Sequence, residues 1–303
     1  MSLPPVWKSE FPLGVVAPSS APSAVEDLTQ GLAALSEDGY TFHWDPDSFT
    51  QQGYLSGTDL QRVTQFNESL KHSRYLIAMR GGYGCLRILD QIDYSSAQER
   101  PGVLIGFSDL TALQLSLYRH SGWKSISGPL VVEWNKIDVA MKKEVQTLLK
   151  GKIPRPITGL KTERAGTCTG TLIGGNLSMI VRMIGSDFLP DLSGKILFIE
   201  DINEPAYKID GLMTQLRHAG ILDQLGGLIL GSFLDAFHAM GSKEQKKMVD
   251  TVRSCVADCR WPLVSDLNYG HFLPRCVLPV GVTAKLVADD DGACLEIIEP
   301  LTN

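Results

Sequence analysis

Several things are missing from this chain of 303 residues, and each absence removes a class of protein. Its six cysteines, Cys85, Cys168, Cys255, Cys259, Cys276 and Cys294, are scattered and form no Cys-x-x-Cys pair. They read as reduced, mostly buried thiols rather than a disulfide framework. Cys255 and Cys259, four apart on a helix, have no second His/Cys pair to complete a metal site, so no metal and no cofactor is expected. The net charge is −6 and no Lys/Arg run stands out, so nucleic acid is not an expected partner. No apolar run approaches the roughly 20 residues that span a bilayer. The opening MSLPPVWKSEFPLGVV lacks a basic region followed by a long apolar one, so it does not read as a secretory signal. A cytoplasmic protein with no membrane partner is expected. Repeats and low-complexity segments are also absent.

Hydrophobic content of 44% against 20% charged describes a globular chain, long enough for two domains with separate cores. In the first half, short apolar runs alternate with helical patterns. Leu13 to Ala17, Tyr75 to Met79, Val103 to Phe107 and Ser125 to Ser127 read as strands. Ala24 to Ser36, Thr58 to Lys71 and Thr111 to Arg119 read as helices. This alternation predicts a parallel sheet covered on both faces. The stretch GKIPRPITGLKTE, Gly151 to Glu163, is rich in Gly and Pro and lacks periodicity, so it reads as a linker. The second half predicts a helix from Asn176, a strand at Lys195 to Glu200 and a helix at Pro205 to His218. A strand at Leu228 to Leu230, a helix at Lys243 to Val256 and a β-rich tail from Val277 to Ile298 follow. The expected class is therefore α/β in two domains, residues 1–155 with a parallel sheet and residues 156–303 mixed and β-rich.

Four constellations carry possible chemistry. Gly106-Phe107-Ser108-Asp109-Leu110 lies between an apolar run and a helix, a turn that projects the Ser108 hydroxyl out of the sheet. The Asp109 N–H would then stand at a helix N-terminus, where an oxyanion is stabilised. The simpler reading is an N-cap. Arg80-Gly81-Gly82-Tyr83-Gly84 follows a strand. Arg87 occupies the place of the last glycine in a dinucleotide fingerprint, and Tyr83 and Arg87 replace the glycines that would flank a Cys85 nucleophile. What remains is a tight turn or a second oxyanion donor. Glu200 ends a strand and is followed by Asp201, at a strand end where ligand crevices form and where a carboxylate orients a histidine. The simpler reading is a helix N-terminal carboxylate, since Asp201 and Glu204 precede the helix at Pro205. The residues alone do not separate the two. Of the six histidines, His271 stands apart in the loop Asn268-Tyr269-Gly270-His271-Phe272-Leu273-Pro274.

Taken in order, these pieces resemble the LD-carboxypeptidase (murein tetrapeptide carboxypeptidase) family of serine peptidases. The resemblance runs through Val16-Ala17-Pro18-Ser19-Ser20, Arg80-Gly-Gly-Tyr-Gly, Gly106-Phe-Ser-Asp and Ser127-Gly128-Pro129. It continues through Gly174-Gly175-Asn176-Leu177, the run Glu200 to Asp210, Gly270-His271 and Leu278-Pro279-Val280-Gly281. It implies a triad of Ser108 as nucleophile, Glu200 as acid and His271 as base, with the Gly82 and Asp109 N–H groups as oxyanion hole. It also implies an amidotransferase-like first domain carrying the nucleophile and a swivelling-type second domain carrying Glu200 and His271. Homodimerisation, a muropeptide substrate and release of its terminal D-Ala in peptidoglycan recycling are further expectations. Arg80, Asn176 and Glu204 are candidates for lining the substrate site. Relatives that cleave peptidyl-nucleotide antibiotics offer an alternative, and a silent peptide-binding protein another. The stretch from Pro129 to Gly166, with Trp134 as its lone aromatic residue, is short for a nucleobase-binding insertion and favours the muropeptide.

Overall fold

The computed structural model describes residues 3–45, 50–234 and 243–303. His238 lies outside the described residues. Helices α1 (Val25–Glu37), α2 (Asp59–His72), α3 (Tyr94–Glu99), α4 (Thr111–Ser121) and α5 (Val139–Leu149) belong to the first half. Helices α6 (Leu177–Arg182), α7 (Ala206–His218) and α8 (Lys243–Cys255) belong to the second. None of the described helices is long and apolar enough to cross a membrane.

Strands β1 (Leu13–Val16), β2 (Phe42–His43), β3 (Tyr75–Ala78), β4 (Val103–Gly106) and β5 (Lys124–Ser127) lie parallel in the order β5-β4-β3-β1-β2. Every residue of β1, β3 and β4 is buried, which is why each reads as an unbroken apolar run. Helix α2 begins with a capping box. Gln61 N donates to Thr58 Oγ1 at 3.1 Å, and Thr58 N donates back to Gln61 Oε1 at 2.9 Å. Its buried face carries Val63, Phe66 and Leu70 and, unusually, Arg62.

The second half closes into a barrel. Its strands are β6 (Ile157–Arg164), β7 (Gly166–Asn176), β8 (Ile196–Ile202), β9 (Gly227–Leu234), β10 (Leu263–Ser265), β12 (Val282–Asp289) and β13 (Gly292–Ile297). The intervening β11 (Leu278–Val280) leaves the barrel and pairs antiparallel with β5. The last part of the chain thus contributes to both sheets. In β12, Val282, Ala284, Leu286 and Ala288 point inward in strict alternation.

The stretch expected to be a linker is in part the strand β6. Only Leu160 of its eight residues is buried. A strand held by its ladder to β10 and β13, with little side-chain burial, has no apolar pattern to reveal it.

Candidate active site

Ser108 follows β4 at the carboxyl edge of the first sheet and has φ 66°, in the left-handed region. A non-glycine residue there is held against its preference by roughly 1–2 kcal/mol. The reward is direction: the side chain leaves the sheet instead of lying along it. Gly81 packs directly against this turn, since a Cβ on it would sit 3.2 Å from Ser108 Cβ and 3.1 Å from Phe107 O. Gly82 has φ 111°, and a Cβ there would fall 2.5 Å from Ser20 Oγ.

The segment Pro18-Ser19-Ser20 after β1 binds these turns together. Ser19 Oγ donates to Asp109 Oδ2 at 2.6 Å, and Cys85 N donates to the same oxygen at 2.9 Å. Tyr83 N donates to Ser20 Oγ at 3.1 Å. Arg62, 2% exposed, donates from Nη1 to Pro18 O and, at 3.0 Å, to Gly84 O, and its Nη2 meets Asp59. Asp59 also takes both arms of Arg87, and the Arg87 hydrogen bond leads in holding its carboxyl below the usual range. Burial, then the Asp109 charge and hydrogen bond, push the Cys85 thiol well up, so it stays a thiol.

Glu200 is fully buried two residues before the end of β8, and β7 and β8 pair Asn176 with Glu200. His271 lies on the loop after β10, pinned to β9 by Leu267 N to Leu230 O at 3.2 Å and Ser232 N to Tyr269 O at 2.8 Å. Gly270 is required there, because a Cβ would fall 1.8 Å from Ser232 Oγ. Tyr269 hydrogen-bonds Ser127 Oγ and stacks edge-on against Phe107 and Phe198. Phe107 lies 4.6 Å from the His271 ring and carries the Arg275 guanidinium 4.1 Å above its own. Arg275 in turn grips Glu133 through Nη2 at 2.6 Å.

These elements bring Ser108, His271 and Glu200 together. His271 Nδ1 is 2.7 Å from Glu200 Oε2, and His271 Nε2 is 2.9 Å from Ser108 Oγ. An ionised carboxylate only accepts, so Nδ1 carries the proton and Nε2 is left to accept from the serine hydroxyl. Burial pulls the His271 pKa down, but the charge of Glu200 and its hydrogen bond together outweigh burial, and the pKa is raised. Asp201, beside Glu200, faces away: its carboxylate accepts from Ser178 N at 2.9 Å, Ser178 Oγ at 2.7 Å and Ile202 N at 2.9 Å. Burial, then the Glu200 charge, push its pKa up. Geometry therefore separates the two carboxylates that the residues alone left equivalent.

The remaining candidates are placed as follows. Asn176 is 6% exposed and its side chain is engaged throughout. Nδ2 donates to Glu200 Oε1 at 3.2 Å and Asp201 Oδ1 at 3.0 Å, while Oδ1 accepts from Met179 N at 3.1 Å. Half-buried Arg80 donates to Ala21 O. Glu204 lies past β8 and pairs with Lys208 Nζ at 3.5 Å. Among the described residues, no three His, Cys, Asp or Glu side chains are grouped to hold a metal ion. Sequence reasoning passed over Arg62 and Thr111. Arg62 had a visible signal, because Arg62, Phe66 and Leu70 share one helical face.

A nucleophilic hydroxyl, an imidazole acceptor and a buried carboxylate in one hydrogen-bonded line have the chemistry of acyl transfer through serine. Comparison with known proteins narrows the class. Residues 13–128 match the LD-carboxypeptidase N-terminal domain and residues 169–286 match the LD-carboxypeptidase C-terminal domain, so the chain belongs to the LD-carboxypeptidase family. It is 31% identical over 292 residues to a putative carboxypeptidase of Synechocystis sp., covering 94% of each chain. It is 27% identical over 319 residues to the microcin C7 self-immunity protein MccF of Escherichia coli, covering 93% of this chain and 91% of that one. The crystal structure of muramoyltetrapeptide carboxypeptidase from Oxalobacter formigenes superposes with a TM-score of 0.83 at 26% identity, covering 96% of this chain and 100% of that one.

Proposed function

We propose that this chain is a metal-independent serine carboxypeptidase that removes the terminal D-Ala of murein tetrapeptides at the L–D bond, in cytoplasmic peptidoglycan recycling. The observation that carries the reading is the unbroken line Ser108 Oγ–His271–Glu200, with distances of 2.9 and 2.7 Å. Residues 1–155 supply the nucleophile, and residues 156–303 supply the acid and base. His271 Nε2 takes the Ser108 proton as Oγ attacks the carbonyl of the L-centre. The Gly82 and Asp109 N–H groups receive the oxyanion. His271 then returns the proton to the departing D-Ala amine, and water, activated by the same histidine, releases the acyl group. Glu200 stabilises the imidazolium that forms at each step. Arg80 and Glu204 border the substrate path.

The likeness to MccF supports a second reading, hydrolysis of a peptidyl- or aminoacyl-nucleotide. One observation counts against it: Trp134 is fully buried and donates from Nε1 to Asp38 at 2.7 Å, so it offers no face to a nucleobase. The test is kcat/KM on a purified muropeptide tetrapeptide and on an aminoacyl sulfamoyl-adenylate. Loss of one D-Ala with the higher kcat/KM on the tetrapeptide is expected. The reverse preference would replace this reading with the second, and turnover of neither would point to a silent peptide-binding protein.

A further inference from the structure

Thr111 stands three residues after Ser108, at the start of α4, and is 1% exposed. Its Oγ1 accepts a hydrogen bond from the backbone N–H of Asn176 at 3.0 Å. The two segments approach so closely that a Cβ on Gly175, whose φ is 141°, would fall 2.3 Å from Thr111 Oγ1. Asn176 ends β7, and its side chain donates to Glu200 Oε1. Glu200 holds His271, and His271 reaches back to Ser108. The contacts form a closed ring: Ser108, His271, Glu200, Asn176, Thr111 and, through one turn of backbone, Ser108 again.

The ring spans both sheets. The geometry points to Thr111 as a positioning residue that sets the register of the nucleophile turn against the strand bearing the acid. This inference rests on the serine-hydrolase reading above. Thr111 reaches the chemistry only through its neighbours. Its loss shifts Ser108 relative to His271 Nε2 and leaves the Asn176 N–H buried without an acceptor.

The experiment compares wild type, Thr111→Val, which keeps the shape without the acceptor, and Thr111→Ser, which keeps the acceptor. Each is assayed for tetrapeptide turnover and for the acylation burst with p-nitrophenyl acetate, with Ser108→Ala as the blank. For Thr111→Val, kcat and the burst rate should fall about 10- to 100-fold, since a shift of about 1 Å at a reacting pair costs that much. KM should stay within about twofold, because ground-state binding is untouched. Thr111→Ser should return most of the rate. A folded Thr111→Val with wild-type kcat, or a Thr111→Ser as slow as Thr111→Val, would overturn the inference, even if melting temperatures fall. Should Thr111→Val be recovered only as aggregate, Thr111→Cys, of similar size but a weak acceptor, must show the same loss. If wild type acylates with the ester but leaves the tetrapeptide intact, the substrate reading fails and the ester rates still decide the role of Thr111. If wild type shows no Ser108-dependent burst and no turnover, the serine-hydrolase reading fails and this inference with it.

Discussion

The parallel sheet and the barrel supply their parts of the site by opposite means. In the sheet, Ser108 is positioned by its own backbone: β4 ends, φ turns positive, and the side chain stands clear. Neighbouring turns then lock it through Ser19, Cys85 and Arg62. In the barrel, Glu200 and His271 lie 71 residues apart in sequence and meet because β8 pairs with β9, with a register shift between Ile199 and Asp201 at Glu200 itself, and the loop carrying His271 is pinned to β9. A serine positioned by local backbone should tolerate changes in its surroundings that leave the turn intact. A carboxylate and an imidazole brought together from distant segments depend on each long-range contact between them.

Substitutions sharpen that contrast, beginning with the largest effect. His271→Ala removes the group that stands 2.9 Å from Ser108 Oγ to accept its proton and should lower kcat by about 10⁴-fold or more with little change in KM. Steady-state kinetics on the tetrapeptide measure it.

Glu200→Gln leaves the shape but removes the charge, and kcat should fall about 10²- to 10⁴-fold. Its pH profile is more telling. In the proposed mechanism His271 must be neutral to act as base, so kcat/KM should be lost as pH falls through the His271 pKa, which burial lowers but the Glu200 charge and hydrogen bond hold above its usual value of about 6.5. Without that carboxylate, burial and the Arg275 charge act unopposed by Glu200. The acid limb should move to lower pH in Glu200→Gln; a limb that stays put would assign it to another group.

Arg62→Met tests the lock on the nucleophile side. It strips the carbonyls of Pro18 and Gly84 of a buried donor and should cost about 3 kcal/mol of stability, read as a lower melting temperature. The residual activity of the folded fraction should exceed that of His271→Ala, since the turn at Ser108 keeps its backbone. Lys208→Ala is the smallest change. Its pairing with Glu204 is an i, i+4 contact at 3.5 Å with Lys208 largely exposed, worth at most about 0.5 kcal/mol.

The same contrast governs what the sequence disclosed. Strands β1, β3 and β4 are legible because both faces are buried, and Ser108 is legible because strand, turn and helix adjoin in the chain. Strand β6 is invisible because seven of its eight residues, all but Leu160, escape full burial. Glu200 and Asp201 look alike in sequence. The contacts of Asp201 with Ser178, Ile202 and Asn176 turn it away from His271. Thr111 carries no sequence signal, because its partner is a backbone N–H 65 residues away.

The central claim is that Ser108 attacks the substrate carbonyl, and mass spectrometry of a muropeptide tetrapeptide incubated with wild type and with Ser108→Ala tests it most directly. Loss of one D-Ala with wild type and an intact tetrapeptide with Ser108→Ala is the predicted result. Equal loss of D-Ala with both proteins would contradict it.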